Sequence, residues 1–219
     1  MDADEVLTTT RAVRKRIDLE RPVPLELVRE CVEVALQAPS GGNRQGWHFL
    51  VVTDPGKRRR LGELYRRAWE DYLAAQRWDY GAADPRQQRL GAVIGSAQYL
   101  ADHLHEVPVH VIPCVEGRLE DLPVPAVVAR LAWILPATWS FMLAARARGL
   151  GSSLTTLHLV HEAEAAEVLG IPADVAQCAL VPVGHLLGDT LRPARRLPVD
   201  LVAHLDAWGV PFPDGSTGP

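Results

Sequence analysis

Apolar residues recur at three- and four-residue spacing over several stretches of this chain, and this spacing predicts helices. The amphipathic stretches are residues 24–38, 55–77 and 86–105, with a shorter one at 161–169 that ends before Gly170. Pro24 suits the first position of the first helix. Residues 124–147 are apolar on nearly every side, which predicts a helix of the core rather than of the surface.

Short runs rich in β-branched and aromatic residues predict the strands. They occupy residues 47–53, 107–116, 150–157 and 176–188, the third as a strand or an extended loop. The first is bounded by turn residues and is expected to be buried. Pro113 inside the second predicts an edge position or an early end. Helices and strands do not alternate regularly as in a doubly wound sheet, so the predicted fold class is α+β.

Composition and charge narrow the function classes. The chain has 219 residues, 47% of them hydrophobic, which predicts one folded domain over 1–219. A net charge of −4 provides no field for general binding to nucleic acid or to anionic lipid. Arg130 and Pro136 interrupt the long apolar stretch, so no membrane partner is predicted. An acidic opening and three widely spaced cysteines favour a reducing cytoplasm.

The common catalytic motifs are missing from the sequence. No GxGxxG, GxxxxGK[ST], HExxH or GxSxG occurs. His158 and His161 have a spacing that metal ligands use, but capping or surface roles explain them better, and no metal is predicted. The cysteines lie on apolar faces and are interpreted as packing residues.

Three polar segments carry the candidate chemistry. Residues 9–16 contain Arg11 and Arg14, residues 39–45 form a small-residue bend, and residues 192–196 read RPARR. Glycines in the bend let backbone N–H groups approach a ligand, and arginine forks suit anions. Each segment also has a plain interpretation: a solvated basic start, a helix-to-strand connection and a loose tail.

Taken together, the order of these segments resembles the flavin-dependent nitroreductase family over nearly the whole chain. Thr10 to Arg14 is similar to an opening R-R-S-V-R, and Ala38 to Trp47 is similar to A-P-S-x-x-N-x-Q-P-W. Gly149-Leu150-Gly151, the L-G-I-P that begins at Leu169, and Arg195 to Pro198 agree with later motifs. Thr10, Ala12 and Gly46 depart from the pattern.

The resemblance implies a nitroreductase-like, mostly antiparallel sheet of four to five strands flanked by helices, in an intertwined homodimer. It implies two FMN sites at the subunit interface, NAD(P)H as co-substrate, and a small-molecule acceptor such as a nitroaromatic or a quinone. Arg14 would face the pyrimidine edge and stabilise the N1 side, Arg11 would lie nearer the phosphate, and the bend would come from the partner chain. The implied cofactor-binding residues are Arg11, Ala12, Arg14, Pro39, Ser40, Gly41, Asn43, Gln45, Thr155, Thr156, Leu157, Arg195 and Arg196.

No protein-based catalytic residue is required, because the flavin itself accepts and donates hydride. Region 57–105 is expected to vary and to shape the substrate pocket, and residues 189–219 to form an extended tail. Two alternatives remain. One keeps the fold for a flavin-dependent dehydrogenase or an enzyme that processes FMN. The other is a non-catalytic flavin binder whose ring face is blocked by Trp69, Trp78 or Tyr72.

Overall fold

A computed structural model describes residues 1–81, 84, 86–188 and 190–212 of the chain. The six helices within these ranges are α1 (Ala3–Thr9), α2 (Leu25–Ala35), α3 (Pro55–Ala75), α4 (Leu90–His103), α5 (Val124–Ala147) and α6 (Glu162–Leu169). The five strands are β1 (Trp47–Val52), β2 (Val109–Glu116), β3 (Leu150–Ser152), β4 (Val175–Gln177) and β5 (Val181–His185). Part of the predicted tail, residues 189 and 213–219, lies outside the described residues.

The five strands form one sheet in which each pairing between them is antiparallel. Its order is β1-β2-β5-β3, and β4 also pairs with β2. This arrangement confirms the predicted α+β class and the mostly antiparallel sheet. The run at 176–188 was predicted as one strand, but it forms two, because both β4 and β5 pair with different parts of β2.

Pro113 was predicted to mark an edge strand or an early end, and this prediction was wrong. Strand β2 continues through Pro113 to Glu116 and has neighbours on both sides, with Pro113 opposite Phe49 of β1. The carbonyl of Pro113 accepts a hydrogen bond from the Cys178 N–H at 2.8 Å. The proline nitrogen faces that same side, where the neighbouring chain passes from β4 to β5. The missing donor therefore falls at a break in the ladder, where it costs little.

Strand β1 was expected to be buried, but it lies at the edge of the sheet. Trp47 and Val52 are buried, whereas His48 is exposed. The error has a simple cause: aromatic and β-branched residues indicate a strand but do not report how many neighbours it has. Helix α2 is shorter than predicted and begins after Pro24, which occupies the capping position instead of the first helical one.

Helix α5 packs one side into the core and leaves the other apolar side uncovered. Phe141 and Ala145 belong to the buried cluster that contains Cys31 of α2 and Val111 of β2. On the opposite side, Val124 is 74% and Val128 is 58% exposed. By length and composition alone α5 could cross a membrane, and a third of its most apolar window is buried. The prediction of a core helix is thus correct for only one of its faces.

Candidate functional site

A cavity of about 480 Å³ lies beside the arginine-rich segment near the N-terminus. This volume is within the range of roughly 300–1,000 Å³ that small-molecule sites occupy. The lining residues come from the segment itself, from α4 and from the tail: Arg11, Ala12, Val13, Arg14, Lys15, Arg16, Ser96, Thr190, Leu191 and Arg192. Hereafter, residues 11–16 are called the arginine segment and this cavity the arginine cavity.

Two glycines hold the arginine segment against the sheet. Gly151 of β3 and Gly184 of β5 face each other in the strand register. A Cβ on Gly151 would lie 2.9 Å from Cγ1 of Val13, and a Cβ on Gly184 would lie 2.5 Å from Cγ2 of Ile17. Only glycine permits so close an approach of backbone to side chain. Because Val13 and Ile17 are buried against these glycines, Arg14 and Arg16, which lie between them in sequence, are left to line the cavity.

Hydrogen bonds fasten the tail to the arginine segment. The guanidinium of Arg16 donates to the carbonyl of Leu187 at 2.8 and 2.6 Å and to that of Thr190 at 2.8 Å. Arg11 donates to the carbonyl of Arg192 at 3.1 Å. Leu191 packs against the small cluster that contains Val13 and Ile17. The tail therefore forms one wall of the arginine cavity.

Arg14 has an unsatisfied donor that a ligand could use. Its Nε is buried and has no hydrogen-bond partner among the described residues. Burial lowers the pKa of Arg14, and the electrostatic interaction with Tyr65 acts in the opposite direction. A buried cationic donor without an acceptor is unfavourable, so this atom suits an acceptor supplied from outside the chain. The donors of this cavity fit a ligand such as FMN, which carries a phosphate and a planar ring edged with acceptor atoms.

Tyr65 interacts with two of the predicted cofactor-binding residues, Arg14 and Thr155. The Tyr65 hydroxyl lies 3.1 Å from Oγ1 of Thr155, within hydrogen-bond distance. Burial raises the pKa of Tyr65, while the hydrogen bond with Thr155 and the charge of Arg14 oppose that rise. The backbone N–H and carbonyl of Thr155 both pair with Leu180, at 3.0 and 2.8 Å. The adjacent Thr156 is exposed, and Leu157 packs against a core cluster.

The bend at residues 39–45 is a loop, as predicted, and contains a single 3-10 turn, Gly41–Asn43. It does not line the arginine cavity of its own chain. Left-handed φ angles of 61°, 53° and 49° occur at Gly42, Asn43 and Gln45. Ser40 Oγ accepts from the Gln45 N–H at 3.2 Å, and Asn43 Oδ1 accepts from the Gln45 side chain at 3.0 Å. Pro39 and Gly41 are exposed beside it.

Arg195 and Arg196 lie in a different cavity, of about 290 Å³. It is lined by Arg86, Gln88, Arg89, Arg195, Arg196, Leu197 and Pro198. The structure thus brings Arg11 and Arg14 together but does not place Arg195 and Arg196 with them. The tail residue that reaches the arginine cavity is Arg192, three positions earlier.

The alternative of a non-catalytic flavin binder requires Trp69, Trp78 or Tyr72 to cover the face of the flavin ring. Trp69 is buried and donates its indole N–H to Gln98 at 2.7 Å. The Trp69 and Tyr72 rings lie 5.9 Å apart, and those of Tyr72 and Trp78 lie 5.6 Å apart. None of the three lines the arginine cavity as the described residues form it.

The sequence did not identify Ser96, which lines the cavity, or Tyr65, which lies outside the lining and interacts electrostatically with Arg14. Both come from helices in region 57–105, where no motif was found. Tyr65 follows Leu61 by four positions on the buried side of α3, which indicates only packing. The signal that could have identified it was a phenol in that stripe, because a buried tyrosine hydroxyl requires a partner.

Comparisons with known proteins agree on one family. A sequence model of the Nitroreductase family matches residues 7–185. A protein of Thermus thermophilus named NADH dehydrogenase is 32% identical over 215 residues, which cover 90% of this chain and 95% of that protein. Among solved structures, an iodotyrosine deiodinase bound to FMN and 3-iodo-L-tyrosine aligns with a TM-score of 0.70 at 21% identity, over 89% of this chain and 95% of that one. An FMN- and NADPH-dependent nitroreductase from Sphigopyxis sp. strain HMH aligns with a TM-score of 0.66 at 22% identity, over 95% of this chain and 100% of that one. These two structures confirm the predicted nitroreductase-like fold.

Proposed function

The chain belongs to the nitroreductase family, and from that premise we propose that it is an FMN-dependent oxidoreductase. It transfers two electrons from NAD(P)H to a nitroaromatic, a quinone or a similar electron-poor acceptor in a ping-pong cycle. The observation that carries the proposal is the arginine cavity, where Arg14 holds a buried donor without a partner. The named relatives support the cofactor: one solved neighbour binds FMN, and another depends on FMN and NADPH.

Bound FMN supplies the two-electron carrier, so the chain's own residues have to bind, orient and stabilise charge. Arg14 lines the arginine cavity and is partly buried, so its guanidinium would stabilise negative charge on the pyrimidine side of bound FMN. Arg11 lies three positions away in the same cavity lining and would hold the phosphate. A guanidinium presents a fixed fork of cationic donors, which suits an anionic ligand such as a phosphate.

We propose that Arg195 and Arg196 also contribute to the phosphate site. The support is their place on the tail, directly after the residues that wall the arginine cavity. Region 57–105 shapes the acceptor pocket, and the presence of Ser96 in the cavity wall supports this role. The buried, free state of the three cysteines is consistent with a cytoplasmic protein.

We propose a homodimer in which the bend at 39–45 completes the partner's site. The exposed apolar face of α5 is the surface that a second copy would cover. The bend packs beside α5, and Trp47, which follows it, packs against Trp133 of that helix with ring centroids 5.6 Å apart and ring planes tilted by 59°. In a dimer that forms through α5, the bend would therefore lie on the partner's side of the interface, away from the cavity of its own chain.

A complementation experiment tests this arrangement directly. Arg14→Met and Asn43→Ala are each expected to weaken FMN binding in a homodimer of that variant. Coexpression of the two variants produces mixed dimers, and if Arg14 and Asn43 meet across the interface, one of the two sites in each mixed dimer is intact. Recovery of about half the flavin content in isolated mixed dimers is the expected result. If both residues of a site come from one chain, no site recovers, and a monomer in solution contradicts the dimer outright.

The activity test starts from the purified wild-type protein. We expect a yellow protein, or one that becomes yellow with added FMN, and consumption of NADH or NADPH with menadione or a nitroaromatic. Arg14→Met should reduce FMN affinity, whereas Arg21→Met, at an exposed arginine outside the arginine cavity, is the matched control and should leave it unchanged. A protein that stays colourless in excess FMN refutes the proposal.

The alternatives give different results in the same assay. Slow anaerobic reduction of the bound flavin by both nicotinamides would favour a dehydrogenase or an FMN-processing enzyme. Tight FMN binding without any turnover would favour the non-catalytic binder. A halogenated phenol belongs in the acceptor panel as well, because the iodotyrosine deiodinase with this fold is bound to FMN and 3-iodo-L-tyrosine in its crystal structure.

A further inference from the structure

The cavity of about 290 Å³ is lined by four arginines from two remote parts of the chain, and it is called the tail cavity below. Arg86 and Arg89 lie just before α4, and Arg195 and Arg196 lie on the tail. No acidic residue lines this cavity as the described residues form it. The whole chain has a net charge of −4, so the positive charge here is a local concentration. A cleft lined by charges of one sign attracts a ligand of the opposite sign, which indicates an anion.

One of the four arginines is paired, and three are not. The Arg86 guanidinium donates to both carboxylate oxygens of Asp84, over distances of 2.7 to 3.1 Å, and lies 4.5 Å from the centroid of the Tyr80 ring. These contacts hold Arg86 in place and neutralise one positive charge. The structure shows no ion pair for the other three arginines within the part of the chain that it describes. Arg89 is exposed and can therefore turn toward a ligand.

The phosphate of FMN does not require all of this positive charge. A phosphate monoester carries about −1.5 to −2 charges near neutral pH. The arginine cavity is itself lined by five cationic residues, and one of them, Arg11, is proposed to hold that phosphate. Even if Arg195 and Arg196 contribute to the same phosphate, Arg86 and Arg89 remain. The tail cavity therefore fits a second phosphate group.

Two separate elements lead from the tail cavity to the arginine cavity. Arg89 of the tail cavity directly precedes α4, and Ser96 of the arginine cavity follows it by seven positions, about 10 Å along the helix axis. On the tail, Arg192 lines the arginine cavity and Arg195 the tail cavity. Three residues of extended chain span at most about 11 Å. The two cavities are thus close enough for one elongated ligand to reach both.

We propose that the tail cavity binds the 2′-phosphate of NADPH, and that Arg86 and Arg89 make this protein prefer NADPH to NADH. The two dinucleotides differ only in this phosphate, which lies on the adenosine ribose, remote from the nicotinamide that has to reach the flavin. The volume of the tail cavity is at the lower limit of small-molecule sites, so it suits this end of the dinucleotide and not the whole molecule. The inference rests on the proposed function and adds to it the choice of reductant.

Binding of adenosine 2′,5′-bisphosphate to the FMN-loaded protein tests the contact without turnover. Calorimetry compares this probe with 5′-AMP, which lacks the 2′-phosphate. The variants are Arg86→Met, Arg89→Met and Arg89→Lys, and the matched control is Arg21→Met, at an exposed arginine that lines neither cavity. The FMN dissociation constant of each variant and its kcat/KM for NADPH and for NADH are the further readouts.

We expect the wild-type protein to bind the bisphosphate about 20- to 100-fold more tightly than 5′-AMP, the effect of charge-assisted contacts from two arginines at an exposed site. Arg86→Met and Arg89→Met should each reduce this ratio by about 5- to 10-fold, and the ratio of kcat/KM for NADPH over NADH should fall in parallel. Arg89→Lys keeps the charge but not the fork, so it should lose less. Arg21→Met should change neither ratio.

Three results overturn the proposal and leave the FMN function in place. The first is wild-type protein that binds FMN but does not distinguish the bisphosphate from 5′-AMP. The second is an equal loss for both probes in Arg86→Met and Arg89→Met, which shows that the arginines attract any anionic nucleotide. The third is weaker FMN binding in these variants with an unchanged ratio, which assigns the arginines to the phosphate of FMN. Wild-type protein that binds no FMN refutes the proposed function and this inference together.

Discussion

The close packing of the arginine segment on Gly184 makes this glycine a sensitive point of the fold. In Gly184→Ala, the new Cβ would lie 2.5 Å from Cγ2 of Ile17, 3.1 Å from the carbonyl oxygen of Asp18 and 3.4 Å from Cδ of Pro108. Carbon atoms in contact prefer about 3.5–4.0 Å, so Ile17 would have to move by about 1 Å. Ile17 is fully buried, and the next residue donates its N–H to the His185 carbonyl at 2.8 Å. The methyl group therefore meets a segment that is held on both sides.

Overpacking of this kind costs about 1–3 kcal/mol of unfolding free energy. For a chain of this length each kcal/mol lowers the melting temperature by about 2–4 °C. Thermal unfolding followed by circular dichroism measures the change. FMN titration provides the second readout: Arg14 precedes Ile17 by three positions, so the displaced segment should also bind FMN more weakly.

Gly95→Ala is the control for this prediction. Gly95 lies inside α4, and a Cβ there would meet no atom within 4 Å. Alanine in a helix interior is favoured over glycine by about 0.5–1 kcal/mol, so this variant should melt at or slightly above the wild-type temperature. A Gly184→Ala protein that melts like Gly95→Ala would refute the packing argument.

Three further predictions concern the tail, a partly buried ion pair and two buried histidines. Arg16→Met removes the donors to the Leu187 and Thr190 carbonyls, so limited proteolysis should cut the tail faster than in Lys15→Met, and equal rates would contradict this. Glu162→Gln weakens the two contacts with Arg118, at 3.1 and 2.6 Å, and should lower the free energy of unfolding in denaturant by about 1–3 kcal/mol. Glu33→Gln, in the exposed pair with Arg29, is the control and should lower it by less than about 0.5 kcal/mol. Equal losses in the two variants would contradict this prediction. Burial lowers the pKa of His110 and of His158 to about 4, so the unfolded chain binds protons that the folded chain does not, and stability should fall as the pH drops from about 6.5 toward 4. His158→Gln should reduce the loss between pH 7.5 and pH 5.5 by about 1 kcal/mol, and an unchanged pH profile would contradict that assignment.

The helices could be predicted because their signals are local. Helix α5 has the bounds predicted from composition, Val124–Ala147, and α6 ends at Gly170, whose left-handed φ of 71° caps it. The strands were predicted less well, since their partners are remote in sequence. Nothing in the apolar run 176–188 indicates that β2 changes partner within it, and the position of Pro113 opposite that break depends on the same register.

The candidate site shows the same difference between features with a local signal in the sequence and features that depend on remote contacts. Charge and motif order identified Arg11 and Arg14, and these residues do share a cavity. The hydroxyls of Ser96 and Tyr65 escaped notice because their helical spacing carries only a packing signal. The separation of Arg195 and Arg196 from Arg14 was equally invisible, because the path of the tail depends on carbonyl hydrogen bonds to Arg16 rather than on any pattern of side chains.

The Gly149-Leu150-Gly151 motif illustrates why a recognisable pattern is not yet an explanation. Gly149 has a left-handed φ of 77° in the turn that follows α5, whereas Gly151 is needed because Val13 approaches its backbone. Two glycines of one motif thus meet two unrelated demands, one local and one from a segment near the N-terminus. Because Gly151 also faces Gly184 across the sheet, the register of β3 and β5 determines where Val13 and Ile17 lie. The position of Arg14 relative to Thr155 follows from that register, so a change in strand pairing would disrupt the site even with every arginine in place.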